Sequence, residues 1–280
     1  MHYKYNKSKT LGPRSAHLVT TLYEQNKPIF RLKEINNILH LNKRASGNFA
    51  KRLVDRGIAM RLKPGLFILI PLELGKVSEY TGNPLIIGRE IMNNMNYFIS
   101  YASAMQIHEM ITQPQLIFYI TALTARRPIK MHGLEFRFIH SQKKYFFGLM
   151  DSWITKQERV TVSDLEKTII DCLKQPEYCG GLTEIAKGFW IRRQDINVNK
   201  LIKYALRMNT GAVIRRLGFL MELYQIGNRS EQEMLHKYLT ETYVRLDPLL
   251  PWEGNYLRKW RLQINVSQEE LLAVVRSEAT

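Results

Sequence analysis

The stretch that most limits the choice of fold runs from Asn42 to Ile70, where a short basic helical pattern leads straight into two apolar strands separated by Lys63-Pro64-Gly65. Proline at the second position and glycine at the third suit a type II turn, because proline presets its own φ and the following residue needs a positive φ. Ile58, Met60 and Leu62 alternate with more polar neighbours before the turn, and Leu66 to Ile70 reads as the return strand. The segment after Gly57 is therefore expected to be a β-hairpin.

Two further helical patterns precede it. Leu18, Val19, Leu22 and Tyr23 make an apolar face behind a candidate N-cap at Ser15, and Pro28 stops that pattern before Phe30. Leu32, Ile35, Ile38 and Leu39 make a second apolar face that ends at His40-Leu41. Asn42 can cap the third helix. At about 100° per residue, Ala45, Phe49, Leu53 and Arg56 gather on one side of it, and Arg44, Gly47, Asn48, Lys51 and Asp55 gather opposite. A helix anchored by Phe49 and Leu53 that offers Arg, Asn and Lys outward carries the groups a major-groove reader uses. Arg pairs with guanine, Asn with adenine, and Lys holds phosphate. Taken singly such a face is also an ordinary solvated helix surface. Three helices followed by a basic hairpin, in that order, read as a winged helix-turn-helix over residues 1–78. The expected DNA contacts are Arg44, Ser46, Asn48, Lys51 and Arg52 on the helix, with Arg61 and Lys63 on the wing against phosphate.

Charge points the same way. The 280-residue chain carries a formal +16, and residues 1–75 hold 14 basic against 4 acidic side chains, whereas residues 76–280 hold 27 against 21. Most of the excess lies in the first quarter, the mark of a module for a polyanionic partner, although a merely soluble basic surface is the plainer alternative. In the remainder, Arg126, Arg127 and Lys130, and Arg192 with Arg193, are candidate secondary basic contacts. Arg215-Arg216 is the least suited of these clusters, since one of two adjacent helical residues flanked by Val213 and Leu217 should lie near the core.

After a polar joint at Gly75 to Pro84, residues 79–280 read as a larger mixed domain. Helices are expected at Leu85 to Met95 and Tyr101 to Ile111, and strands at Tyr97 to Ser100, Leu116 to Thr121, Ile129 to Met131, Leu134 to His140 and Tyr145 to Phe147. From Ser163 onward nearly everything is helical, beginning with a capping box formed by Ser163 and Glu166. The fold class is thus α+β, an N-terminal winged helix-turn-helix followed by a larger domain with a small sheet and a helical second half. No apolar run approaches the roughly 18 residues of a membrane helix. No apolar segment follows the basic N-terminus, so a cytoplasmic protein is expected. Cys172 and Cys179 match no zinc pattern, and there is no phosphate-cradling glycine loop and no histidine pair at metal spacing. His108 reads as a core-edge residue. Neither catalytic residues nor a metal or cofactor are expected.

Several stretches resemble the AbiEi family, the antitoxins and autoregulators of AbiE abortive-infection toxin-antitoxin systems. They are Tyr97 to Met105, Phe136 to Ile139, Val162-Ser163-Asp164-Leu165-Glu166-Lys167-Thr168-Ile169-Ile170-Asp171 with Pro176 and Gly180-Gly181, Tyr204-Ala205, Asn209, Ala212-Val213 with Arg215 to Leu220, and Leu246-Asp247-Pro248. The likeness covers nearly the whole chain; residues 252–280, with Arg258-Lys259-Trp260-Arg261, stand outside it. It implies a winged helix joined to a larger α/β domain, double-stranded DNA bound at inverted repeats in the protein's own promoter, repression of that operon, and a cognate nucleotidyltransferase toxin countered through the C-terminal domain. No enzymatic activity is implied. Two other classes stay open: a free-standing winged-helix transcription factor with a sensor domain, and a nucleic-acid-processing enzyme. An adjacent nucleotidyltransferase gene separates the antitoxin from the free-standing factor.

Overall fold

The computed structural model describes residues 9–75, 80, 82–93, 95–111, 113 and 115–277. Its class is α+β, with eleven α-helices and three sheets among the described residues. The chain divides into two compact units. One holds Met1–Asn94 with Lys130–Leu134 and Ile154–Glu158, and the other holds the rest.

In the first unit, α1 (Pro13–Glu24) starts at proline rather than at Ser15, which is buried. Gly12 precedes it, and a proline in the first turn costs no hydrogen bond because that N–H would lack a partner anyway. A short strand follows, β1 (Ile29–Arg31), then α2 (Leu32–Leu39) and α3 (Lys43–Asp55). The hairpin is β2 (Ala59–Lys63) and β3 (Leu66–Leu69), with Gly65 at φ +78°, the positive value the turn requires. The sheet order is β1-β3-β2, and Phe30 of β1 stacks on Phe67 of β3 with ring centroids 5.7 Å apart. Leu18, Leu22, Phe30, Ile35, Phe49, Leu53 and Ile58 form the core between helices and sheet. The unit extends past residue 78 to take in α4 (Pro84–Met92), capped by the Asn83 side chain, which accepts from Leu85 N at 2.9 Å. Residues 76–79 and 81, part of the expected joint, lie outside the described residues.

The second unit begins with β4 (Tyr97–Ile99), α5 (Tyr101–Ile107) and β5 (Ile117–Ala122), followed in the chain by β6 (Ile129–Met131) and β7 (Leu134–His140), of which Lys130, Met131 and Leu134 count with the first unit. The strand expected at Tyr145 to Phe147 is absent: Tyr145 ends a 3₁₀ turn (Lys143–Tyr145) and Phe146-Phe147 are irregular, and the next strands are β8 (Leu149–Trp153) and β9 (Arg159–Ser163), an antiparallel hairpin. These strands make one sheet in the order β6-β7-β5-β4-β9-β8, in which β4 runs parallel to β9 and β5 parallel to β7. Five helices follow: α6 (Leu165–Lys174), α7 (Leu182–Ile191), α8 (Val198–Met208), α9 (Gly211–Leu223) and α10 (Arg229–His236). The expected capping box is corrected here. Asp164, not Ser163, caps α6, its carboxylate accepting from Lys167 N at 2.8 Å, while Glu166 accepts from Asn197 N and pairs with Lys200 at 2.8 Å. Ser163 ends β9 with its hydroxyl 2.7 Å from that of Thr168. The chain closes with β10 (Val244–Arg245), β11 (Asn255–Leu257), β12 (Leu262–Ile264) and α11 (Gln268–Ser277). Trp260, fully buried, lies against Gly218 of α9, where any side chain would collide with the indole. No described helix is long and apolar enough to cross a membrane.

Candidate nucleic-acid interface

α3 is built as its sequence directs. The Asn42 side chain accepts from Ala45 N at 2.9 Å, satisfying a donor that the first helical turn leaves open, and fixes where the helix starts. Phe49, Ala50 and Leu53 bury one face in the core. Because that face faces inward, Arg44, Asn48, Lys51 and Arg52 are all exposed. Among the described residues, none of these three cations has a carboxylate within ion-pair distance. The Arg52 guanidinium lies 5.6 Å from the centre of the Phe49 ring, so its outward position is braced by the same residue that anchors the helix. Lys43, next to the cap, is exposed as well and was not among the expected contacts; its signal was the basic pair directly after Asn42.

Two expected contacts change. Ser46 is fully buried, and its hydroxyl has no hydrogen-bond partner, so it does not belong to the outward face. Its position three residues before Phe49 puts it on the core side of the helix, where its small size lets the helix approach. Lys63 is the second correction. It is half-buried, and its ammonium donates to the carbonyl of Ile91 in the last turn of α4 at 3.0 Å, where cations are favoured by the helix dipole. Arg61, one step back on β2, is exposed and remains the outward cation of the hairpin. Arg31 also serves α4, donating to the carbonyl of Glu90 at 2.6 Å. Arg89 sits 2.6 Å from Glu158 and 3.0 Å from Glu90; burial lowers its pKa, but these carboxylates prevail and hold it above its ordinary value.

The secondary clusters divide. Arg127 and Lys130 are exposed. Arg126 is half-buried, donating to the Met95 sulfur at 2.8 Å with its guanidinium 6.0 Å from the Phe138 ring. Arg192 pairs with Glu109 at 3.3 Å and Asp195 at 3.1 Å, and Arg193 stacks 3.8 Å from the centre of the Trp190 ring. Arg215 and Arg216 are both interior. Arg216 donates to the carbonyls of Leu173, Leu246 and Arg245, and Arg215 to those of Thr240 and Thr242. Burial pulls the Arg216 guanidinium down to about 10, with Asp247 and Glu177 opposing it.

No protein-family model matches the chain, and no curated protein matches it in sequence. Among solved structures, the chain is similar to the crystal structure of the RV2827C protein from Mycobacterium tuberculosis, with a TM-score of 0.68 at 13% identity, over 98% of this chain and 97% of that one. At that identity the likeness is one of fold.

Proposed function

We propose that the chain is a sequence-specific DNA-binding repressor whose first unit is a winged helix-turn-helix, with α3 as the reading helix and the β2–β3 hairpin as the wing. The observation that carries this reading is the outward face of α3, where Arg44, Lys51 and Arg52 are exposed and unpaired and flank an exposed Asn48. Cations without an internal partner break no ion pair when they reach phosphate, and an Arg and an Asn one turn apart on a helix can each reach a base edge. Three helices followed by a hairpin on a three-stranded sheet support the assignment. From the AbiEi resemblance we further propose that the operator is an inverted repeat in the protein's own promoter, and that the second unit counters a cognate nucleotidyltransferase toxin.

The test is promoter binding by the full chain at fixed salt. Arg44→Ala and Asn48→Ala should each weaken operator binding by about 1 to 3 kcal/mol and relax selectivity at one base position. Unchanged affinity in both variants overturns α3 as the reader. Co-expression with a neighbouring nucleotidyltransferase, scored by growth, tests neutralisation. No rescue of growth, with promoter binding intact, leaves a plain repressor.

A further inference from the structure

The motif from Val162 to Asp171 places two ionisable residues where proteins seldom put them. Lys167 is 1% exposed and Asp171 is 5% exposed; they lie one turn apart on α6, with the ammonium donating to the carboxylate. Burying such a pair is costly, because desolvating two charges consumes most of what their attraction returns, so it is poor evidence of a stabilising device. DNA binding by the first unit makes no use of it.

The pair lines a cavity of about 200 Å³ in the second unit together with Phe98, Tyr101, Tyr145 and the half-buried Lys174. Two features suggest that the cavity is made for a ligand. The Lys167 ammonium has three donors, and Asp171 is its acceptor; the rest of it faces the Phe98 and Phe147 rings at 5.5 and 5.0 Å. Tyr101, a bulky buried residue, is held at φ +53°, a left-handed conformation of the kind that collects at ligand sites, and its hydroxyl donates to Gln175, another wall residue, at 2.6 Å. Two lysines against one carboxylate leave the lining one positive charge in excess. Burial raises the Asp171 pKa in spite of Lys167, which does not add to the negative charge of the lining.

We infer that this cavity is a binding site for a small organic anion, a carboxylate or phosphoryl group on a flat apolar body. The anionic group lies toward Lys167 and Lys174, and the apolar body lies between the aromatic walls. The volume is below the range of about 300 to 1,000 Å³ typical of drug-sized ligands, which limits the occupant to a small molecule. This inference stands apart from the DNA-binding reading.

The test titrates the full chain with benzoate, phenyl phosphate and benzamidine at constant ionic strength, followed by calorimetry and thermal unfolding. One or both anions should bind saturably at one site and raise Tm, and the stronger one identifies the group. Benzamidine, of like shape and opposite charge, should not bind. Lys174→Gln should weaken the anion at least tenfold, whereas Lys187→Gln, at a half-exposed lysine of α7 that pairs with Glu184 outside the cavity lining, should leave it unchanged. Lys167→Met should abolish binding, and where it fails to fold the Lys174 variant decides. Absence of saturable binding by both anions, equal binding of benzamidine, or an unchanged Kd in Lys174→Gln overturns the proposal.

Discussion

α3 in the first unit and α9 in the second both carry adjacent basic residues, and they use them in opposite ways. On α3 the pair Lys51-Arg52 is exposed and, among the described residues, has no carboxylate partner, whereas on α9 Arg215 and Arg216 are 2% and 4% exposed and bound to backbone carbonyls. Charge counting treats the two pairs alike. The first leaves its donors toward solvent; the second commits them to the carbonyls of Leu173 in the last turn of α6, of Thr240 and Thr242, and of Arg245 and Leu246 at the end of β10. Formal charge thus overstates the cations that face solvent in both halves of the chain, since Arg215 and Arg216, like Arg31 and Lys63, serve internal carbonyls.

The comparison breaks most visibly at Arg216. Replacing it with Met removes a buried guanidinium and leaves three carbonyls without their donor, so unfolding by denaturant should show a loss of about 3 to 5 kcal/mol. The equivalent change on α3, Arg52→Met, should move stability by no more than about 0.5 kcal/mol, as for other exposed positions. A small effect at Arg216 would mean that its carbonyls find water instead and that the contrast between the helices is superficial.

The hairpin sharpens the same contrast over two residues. Lys63→Met should lower stability by about 1 to 2 kcal/mol, because the half-buried hydrogen bond to Ile91 is lost. Arg61→Ala should leave stability alone and, under the DNA-binding reading, reduce the salt dependence of operator binding by about one unit of slope. If the two variants exchange these effects, Lys63 leaves α4 and takes the wing's place on phosphate.

The smallest effect concerns pH. Burial lowers the His108 pKa below its ordinary 6.5, outweighing the bond between its ring and the carbonyl of Ser163 at 2.7 Å. The unfolded chain then binds the proton more readily than the folded one, so stability is lost as pH falls from above 6.5 toward the folded value. His108→Gln should flatten that part of the stability profile relative to the parent, which a series of melts between neutral pH and pH 5 would read.

What the sequence determined by itself was local. Asn42 as a cap, the 3.6-residue periodicity of α2 and α3, and the Pro64-Gly65 turn depend on neighbours within a few positions, and each appears in the structure as the residues required. The outward Arg44, Asn48 and Lys51 follow from that periodicity once Phe49 and Leu53 define the inside, whereas Arg52 stands beside the core face by that count, and Arg56, counted with the core side, is exposed because a long charged side chain at the helix end reaches solvent. Tertiary structure decided the rest. β1 is three residues long, too short to carry a pattern, and exists because β3 offers it partners. Ser46 is polar by type and buried by position, Lys63 is drawn off by a helix that begins 21 residues later, and Lys167 meets Asp171 inside a cavity walled by residues of several other elements. A basic side chain reads the same in a sequence whether it faces solvent or a carbonyl. Only the long-range packing, which sets how much water surrounds each charge and which backbone groups would otherwise go unpaired, distinguishes a binding surface from scaffolding.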